Sequence, residues 1–141
     1  MKPGLDEGPV SDKARRVTDD QREPDVPTYL VRARTDTLGP GRRARLAEQL
    51  TDTHTRLTGG SSSSVQVIIE DLQGRDHFVG GRTAPVGSVF VRGHLPAGGE
   101  EATTKALAAA VREAVVAATD VSADVVWVYL SELAAEGMVE P

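Results

Sequence analysis

The chain repeats itself. Tyr29-Leu30-Val31-Arg32-Ala33 aligns with Val89-Phe90-Val91-Arg92-Gly93, and Val65-Gln66-Val67-Ile68-Ile69 aligns with Val125-Val126-Trp127-Val128-Tyr129, both at a spacing of 60 residues. All four runs are short and rich in β-branched and aromatic residues, the composition of strands. A helical stretch separates the members of each pair, over about 40–58 in the first half and 100–118 in the second. A 60-residue unit is longer than a solenoid repeat, and two copies do not make an array. The repeat therefore predicts a duplicated β-α-β unit. A strand–helix–strand crossover gives parallel strands. Two such units side by side predict an α/β (α+β) fold, a four-stranded sheet with two helices on one face.

Local signals agree. The first helix opens at Pro40, suited to a first helical turn, and stops at Gly59-Gly60. Its apolar stripe reads Ala47, Leu50, Leu57, with Leu46 beside it. The second helix carries Glu100 and Glu101 in its first turn, where the dipole favours acids. Its stripe runs Leu107, Val111, Ala114 or Val115, Ala118. Gly74, Gly80, Gly81 and Pro85 mark 72–87 as a loop or small hairpin.

Composition bounds the function. At 141 residues the chain has room for one ordinary core. Cysteine is absent, which excludes disulfides, thiolate metal sites and a cysteine nucleophile. A net charge of −5 argues against a nucleic-acid partner. No apolar run approaches the roughly 20 residues of a membrane helix, so no membrane partner is expected. Residues 1–26 hold seven acids, five bases and three prolines among few apolar side chains. They read as a polar N-terminal extension that cannot order on its own. They also lack the pattern of a secretory signal, which predicts a cytoplasmic protein. The compact domain is expected over 27–141, as repeats of about 27–86 and 87–141.

Few residues stand out chemically. His54 lies on the apolar stripe of the first helix, four residues after Leu50 and three before Leu57. That position fits a core histidine with one satisfied nitrogen as well as a catalytic one. His77 and His94 read as loop residues without ligand spacing, so no metal site is expected. Tyr129 ends the last strand, and Glu140 follows Gly137-Met138-Val139. Arg32 and Arg92 occupy equivalent repeat positions, and Arg82 lies in a glycine-rich loop. Any of the three is able to pair with an anion, although a surface arginine is the ordinary reading.

Taken together, these segments resemble a known family. A duplicated β-α-β chain opening Pro27-Thr28-Tyr29-Leu30-Val31, with Thr51-Asp52-Thr53-His54-Thr55-Arg56-Leu57-Thr58-Gly59, is similar to the tautomerase superfamily. Phe78-Val79-Gly80-Gly81, Phe90-Val91-Arg92-Gly93, Val126-Trp127-Val128-Tyr129 and Met138-Val139-Glu140 point to its cis-3-chloroacrylic acid dehalogenase-like branch. The resemblance spans the whole compact domain. It implies catalytic roles for Pro27, His54, Tyr129 and Glu140, and a substrate-side role for Tyr29. It further implies a homotrimer, a small-molecule substrate and no cofactor. In the family the proline is the first residue, and its secondary amine moves protons.

Two departures modify what is carried over. Where the branch places two carboxylate-binding arginines, this chain has Pro96 and Gly99, which argues against chloroacrylate dehalogenation. The substrate is then neutral, larger, or held by another arginine such as Arg92 or Arg82. The second departure is the extension, which makes the Pro27 nitrogen a tertiary amide without a basic lone pair. It is removed, or retained with His54, Tyr129 and Glu140 at work, or absent because translation starts at Val26. The expected function is proton transfer, hydration or dehydration on a small or medium carbonyl or unsaturated substrate. The alternative is a catalytically impaired trimer that binds ligands or serves a structural role.

Overall fold

Alternation decides the first strand. In β1 (Thr28–Arg34) Tyr29, Val31 and Ala33 are buried and their neighbours only partly covered, the period-2 pattern of a strand with one face on a core. Next come α1 (Pro40–Thr58), β2 (Gln66–Leu72), the short pair β3 (Phe78–Val79) and β4 (Arg82–Thr83), β5 (Val89–Pro96), α2 (Glu101–Thr119) and β6 (Val126–Leu133). The structure is a computed structural model that describes residues 26–34, 36–72 and 76–141. The polar extension, apart from Val26, lies outside the described residues, as does Gly74.

The main sheet has the order β2-β1-β5-β6. β1 runs parallel to β2 and β5 parallel to β6, while β1 and β5 are antiparallel. This is the duplicated β-α-β arrangement, and 72–87 contains the small hairpin β3–β4. Val31 stands opposite Val91 in the central register. These two are equivalent in the repeat, so a local twofold axis passes between them. Leu46 and Leu50 of α1, Leu107 and Val111 of α2, and Tyr29, Val31, Val89 and Val91 of the sheet form one buried cluster. Both helices therefore cover the same sheet face.

Several expectations need correction. A uniform spacing of 60 fails in the outer strands. Val31 pairs with Ile69 and Val91 with Val128, so Ile69 and Val128 are the equivalent pair, at a spacing of 59. The slip matters because one residue exchanges the faces of a strand. It puts Val126, Val128 and Leu130 towards the helices and Trp127 and Tyr129 on the outer face. His94 lies within β5, not in a loop. Glu100 is the cap residue of α2, one position before its first turn. The buried side of α1 is Leu46, Leu50, Thr53 and His54, with Ala47 and Leu57 only partly covered. The helix is turned so that His54 faces inward. In α2 the stripe Leu107, Val111, Ala114, Val115, Ala118 is buried as its spacing predicts.

The helix ends are tied across the layer. Arg42, in the first turn of α1, donates from Nη1 to the Thr119 carbonyl at 2.7 Å, which satisfies a free acceptor at the end of α2. Gly59 ends α1 in the left-handed region at φ 77°, and its N–H donates to the Thr55 carbonyl. Among the described residues no helix is long and apolar enough to cross a membrane. Leu50 is fully buried between helix and sheet. Leu50→Ala is expected to cost about 2–5 kcal/mol of unfolding free energy, read from the urea denaturation midpoint.

Candidate active site

The site is built where β1 begins and α1 ends. Tyr29 is the second residue of β1 and points to the helices with 0% exposure. Gly93 stands opposite it on β5. A Cβ at Gly93 would lie 3.0 Å from Tyr29 Cε1 and 2.5 Å from Leu130 Cδ2. The missing side chain leaves room for the phenol ring and for Leu130.

His54 sits in the last turns of α1 with 6% exposure. Tyr29 Oη and His54 Nδ1 are 2.7 Å apart, and the two rings meet edge to face with centroids 5.6 Å apart. Burial pushes the Tyr29 hydroxyl well above the ordinary tyrosine range, and burial lowers the His54 imidazole. Both groups are therefore neutral at pH 7. The phenol has no other partner among the described residues, so its O–H must donate to Nδ1 to be satisfied. A neutral imidazole that accepts at Nδ1 carries its proton on Nε2. Tyr29 thus fixes the tautomer and leaves His54 with an N–H donor.

That donor belongs to a cavity of about 430 Å³ whose walls include Pro27, His54, Thr103, Glu100 and Glu132. Pro27 is buried, and its carbonyl accepts from the Gln66 N–H at 2.9 Å, which pins it at the mouth of the β1–β2 pair. A second cavity, of about 420 Å³, is lined by Val26, Thr28, His94, Met138 and Glu140. Alternation along an extended chain explains the split, with Pro27 facing one cavity and its two neighbours the other. The Val26 N–H donates to the Glu140 carboxylate at 3.2 Å and 3.4 Å to its two oxygens. The C-terminal segment is thereby held to the residue before Pro27.

Within one chain, then, Pro27, Tyr29 and His54 come together, and Glu140 is one residue away. Tyr129 does not join them. It is 58% exposed on the outer face, tilted against Phe90 at a centroid distance of 5.5 Å. Arg92, beside Tyr129 in the β5–β6 register, shares that face, and Arg82 is exposed in the hairpin. Neither arginine lines the first cavity. Glu132, Glu100 and Gly93 are functional candidates that the sequence reading passed over. Strand parity was the available signal for Glu132, which follows Val126, Val128 and Leu130 at every second position. Among the described residues no group of three His, Asp or Glu is arranged to hold a metal.

No protein-family model matches this chain, and no curated protein matches it. Solved structures do. N1, a member of the cis-3-chloroacrylic acid dehalogenase family, is 30% identical with a TM-score of 0.77, over 80% of this chain and 79% of its own. Native Ps01740 is 31% identical with a TM-score of 0.74, over 80% of this chain and 99% of its own. The R7 fused 4-OT, solved as an asymmetric trimer, is 25% identical with a TM-score of 0.70, over 76% of this chain and 86% of its own.

Two outcomes follow from the Tyr29–His54 pair. Tyr29→Phe leaves a buried acceptor unpaired and should cost about 1–3 kcal/mol. It should also abolish the fixed Nε2–H tautomer, visible in the nitrogen shifts of the imidazole. Because the folded state holds His54 neutral, the unfolded chain takes up a proton first as pH falls. Stability should therefore be full above about pH 6.5 and decline below it. Urea midpoints at neutral and mildly acidic pH measure this, and His54→Gln should reduce the loss.

Proposed function

The chain belongs to the cis-3-chloroacrylic acid dehalogenase family of the tautomerase superfamily, and from that membership we propose a cofactor-independent enzyme that shifts protons on, hydrates or dehydrates a small or medium carbonyl or unsaturated compound. The observation that carries this reading is that His54, bonded from behind by the buried Tyr29, opens together with Pro27 on a single cavity of about 430 Å³. His54 supplies a neutral N–H whose direction is fixed before substrate arrives. Such a donor stabilises negative charge on a substrate oxygen, the main requirement for forming an enolate or adding water to a conjugated bond.

The proton comes and goes through groups on the other side. While Val26 is attached, Pro27 nitrogen is an amide, and acid–base work falls to carboxylates, with Glu140 held at that peptide. In a chain that begins at Pro27 the amine is free beside His54, and the proline becomes the proton carrier. Tyr129, Arg92 and Arg82 are exposed away from this cavity. They serve a cavity only across a contact between copies, which a homotrimer provides. Chloroacrylate is not the favoured substrate, because among the described residues no lysine or arginine of one chain lines the cavity to hold a small carboxylate.

Catalysis is tested by ketonisation of the enol of pentane-2,4-dione, a neutral 1,3-dicarbonyl. His54→Ala and His54→Gln should each lower kcat/KM by about 100-fold with the circular dichroism spectrum retained. The chain cut to begin at Pro27 should exceed the full chain by a similar factor. Equal rates in the two chains would remove the proline from the mechanism. No turnover in either would leave the second reading, a trimeric binding protein. Sedimentation should give a mass three times the 14.9 kDa of the chain.

A further inference from the structure

The cavity that contains Pro27 and His54 is charged with one sign. Glu100 and Glu132 are in its wall, and among the described residues no lysine or arginine is. Neither acid forms an ion pair among the described residues. Glu132 is placed by strand parity on the helix-facing side of β6, at the end where that strand meets the loop before α2. Its Oε2 lies 3.4 Å from the point that a Cβ on Gly99 would occupy. The carboxylate therefore leans over a stretch of backbone that has no side chain of its own. The start of α2 opens on the same wall, but Glu100 and Glu101 already stand there, so the dipole of the helix is met by acids of the chain. In the same cavity wall stands His54, whose Nε2–H has no partner among the described residues.

Within one chain, a substrate with a carboxylate would meet like charge here and no counter-ion among the described residues. A substrate with a cationic end would meet two carboxylates, and its neutral oxygen would meet the imidazole donor. We propose that this cavity selects carbonyl or enol compounds that carry a positive charge, an ammonium group or another cation, with the reacting oxygen on His54 and the cation against Glu132 and Glu100. The inference rests on reading the cavity as an active site, and it names the substrate class of that site.

The test uses the full chain and three probes of similar size. Acetonyltrimethylammonium carries a ketone and a permanent positive charge. The compound 4,4-dimethylpentan-2-one has the same shape without charge, and acetoacetate is the anion. Dissociation constants come from NMR titration of the amides of Gly98, Gly99 and Thr103. The cation is expected to bind about 5-fold tighter than its neutral isostere. That advantage should shrink as salt is raised from about 20 to about 500 mM. In Glu132→Gln combined with Glu100→Gln the advantage should vanish while affinity for the neutral ketone is unchanged. Both acids are exposed, and the salt series requires no variant. Equal binding of cation and isostere overturns the proposal. Tighter binding of acetoacetate also overturns it and shows that a cationic side chain from another copy reaches the cavity. Charge preference is read without turnover. An inactive enzyme that still prefers the cation would therefore defeat the catalytic reading alone, and an active one without the preference would defeat this proposal alone.

Discussion

One hydrogen bond organises the active end of this fold. Tyr29 and His54 place a phenol and an imidazole in a core that is otherwise aliphatic. Neither is tolerable there alone, since an unpaired buried polar group costs more than a formed bond returns. Each therefore requires the other at a fixed distance. That requirement acts together with the apolar alternation that turns Tyr29, Val31 and Ala33 inward, and it is met by an α1 rotated so that His54 faces the core. It also bears on Gly93, where a Cβ would press on the Tyr29 ring at 3.0 Å and overlap Leu130 Cδ2. The result is a histidine whose tautomer and direction are set by the packing of the domain.

Much of the fold was legible from alternation and end signals. β1 shows its inward face through Tyr29, Val31 and Ala33, and α1 announces both ends with Pro40 and Gly59. The outer strands were harder for a physical reason. β2 and β6 carry apolar residues on both faces, with Ile68 and Tyr129 on the outside and Ile69 and Val128 on the inside. Parity cannot be read from such a strand, so a repeat aligned by similarity slipped by one residue. The same ambiguity hid Glu132, whose role is evident only once Val126, Val128 and Leu130 are known to face the helices. An outer face that mixes exposed apolar residues, such as Tyr129 at 58%, with Arg32, Glu70 and Arg92 is also what a strand layer shaped for contact with further copies would show.

The candidate residues divide along the same line. Pro27, Tyr29 and His54 were named through the family resemblance, and they come together because they lie at adjoining ends of elements within one repeat. Arg92, Arg82 and Tyr129 were legible as residues but not as neighbours of the cavity, since nothing in a single chain brings the outer face to the inner one. The duplication makes this contrast sharper. Val89 occupies in the second repeat the place that Tyr29 has in the first, so the second unit repeats the architecture without the polar pair. The fold is nearly twofold symmetric and the site is not.

The chemistry of Pro27 turns on one peptide bond. With Val26 attached, the proline nitrogen is inert, and Glu140 is occupied by the Val26 N–H. Without Val26, the same carboxylate would lie close to a secondary amine that also shares a cavity with Glu100 and Glu132. Opposite charges nearby favour the protonated form of an amine, whereas burial favours the neutral one. Glu100 and Glu132 in the cavity wall and Glu140 beside the Val26 position all favour the protonated form of a freed Pro27. It would then act as a proton donor to a substrate carbon, with His54 steadying the oxygen. An acid-lined cavity and a proline donor are consistent with each other in a way that an acid-lined cavity and a proline base are not. The charge that shapes substrate choice would also set the direction in which the proton moves.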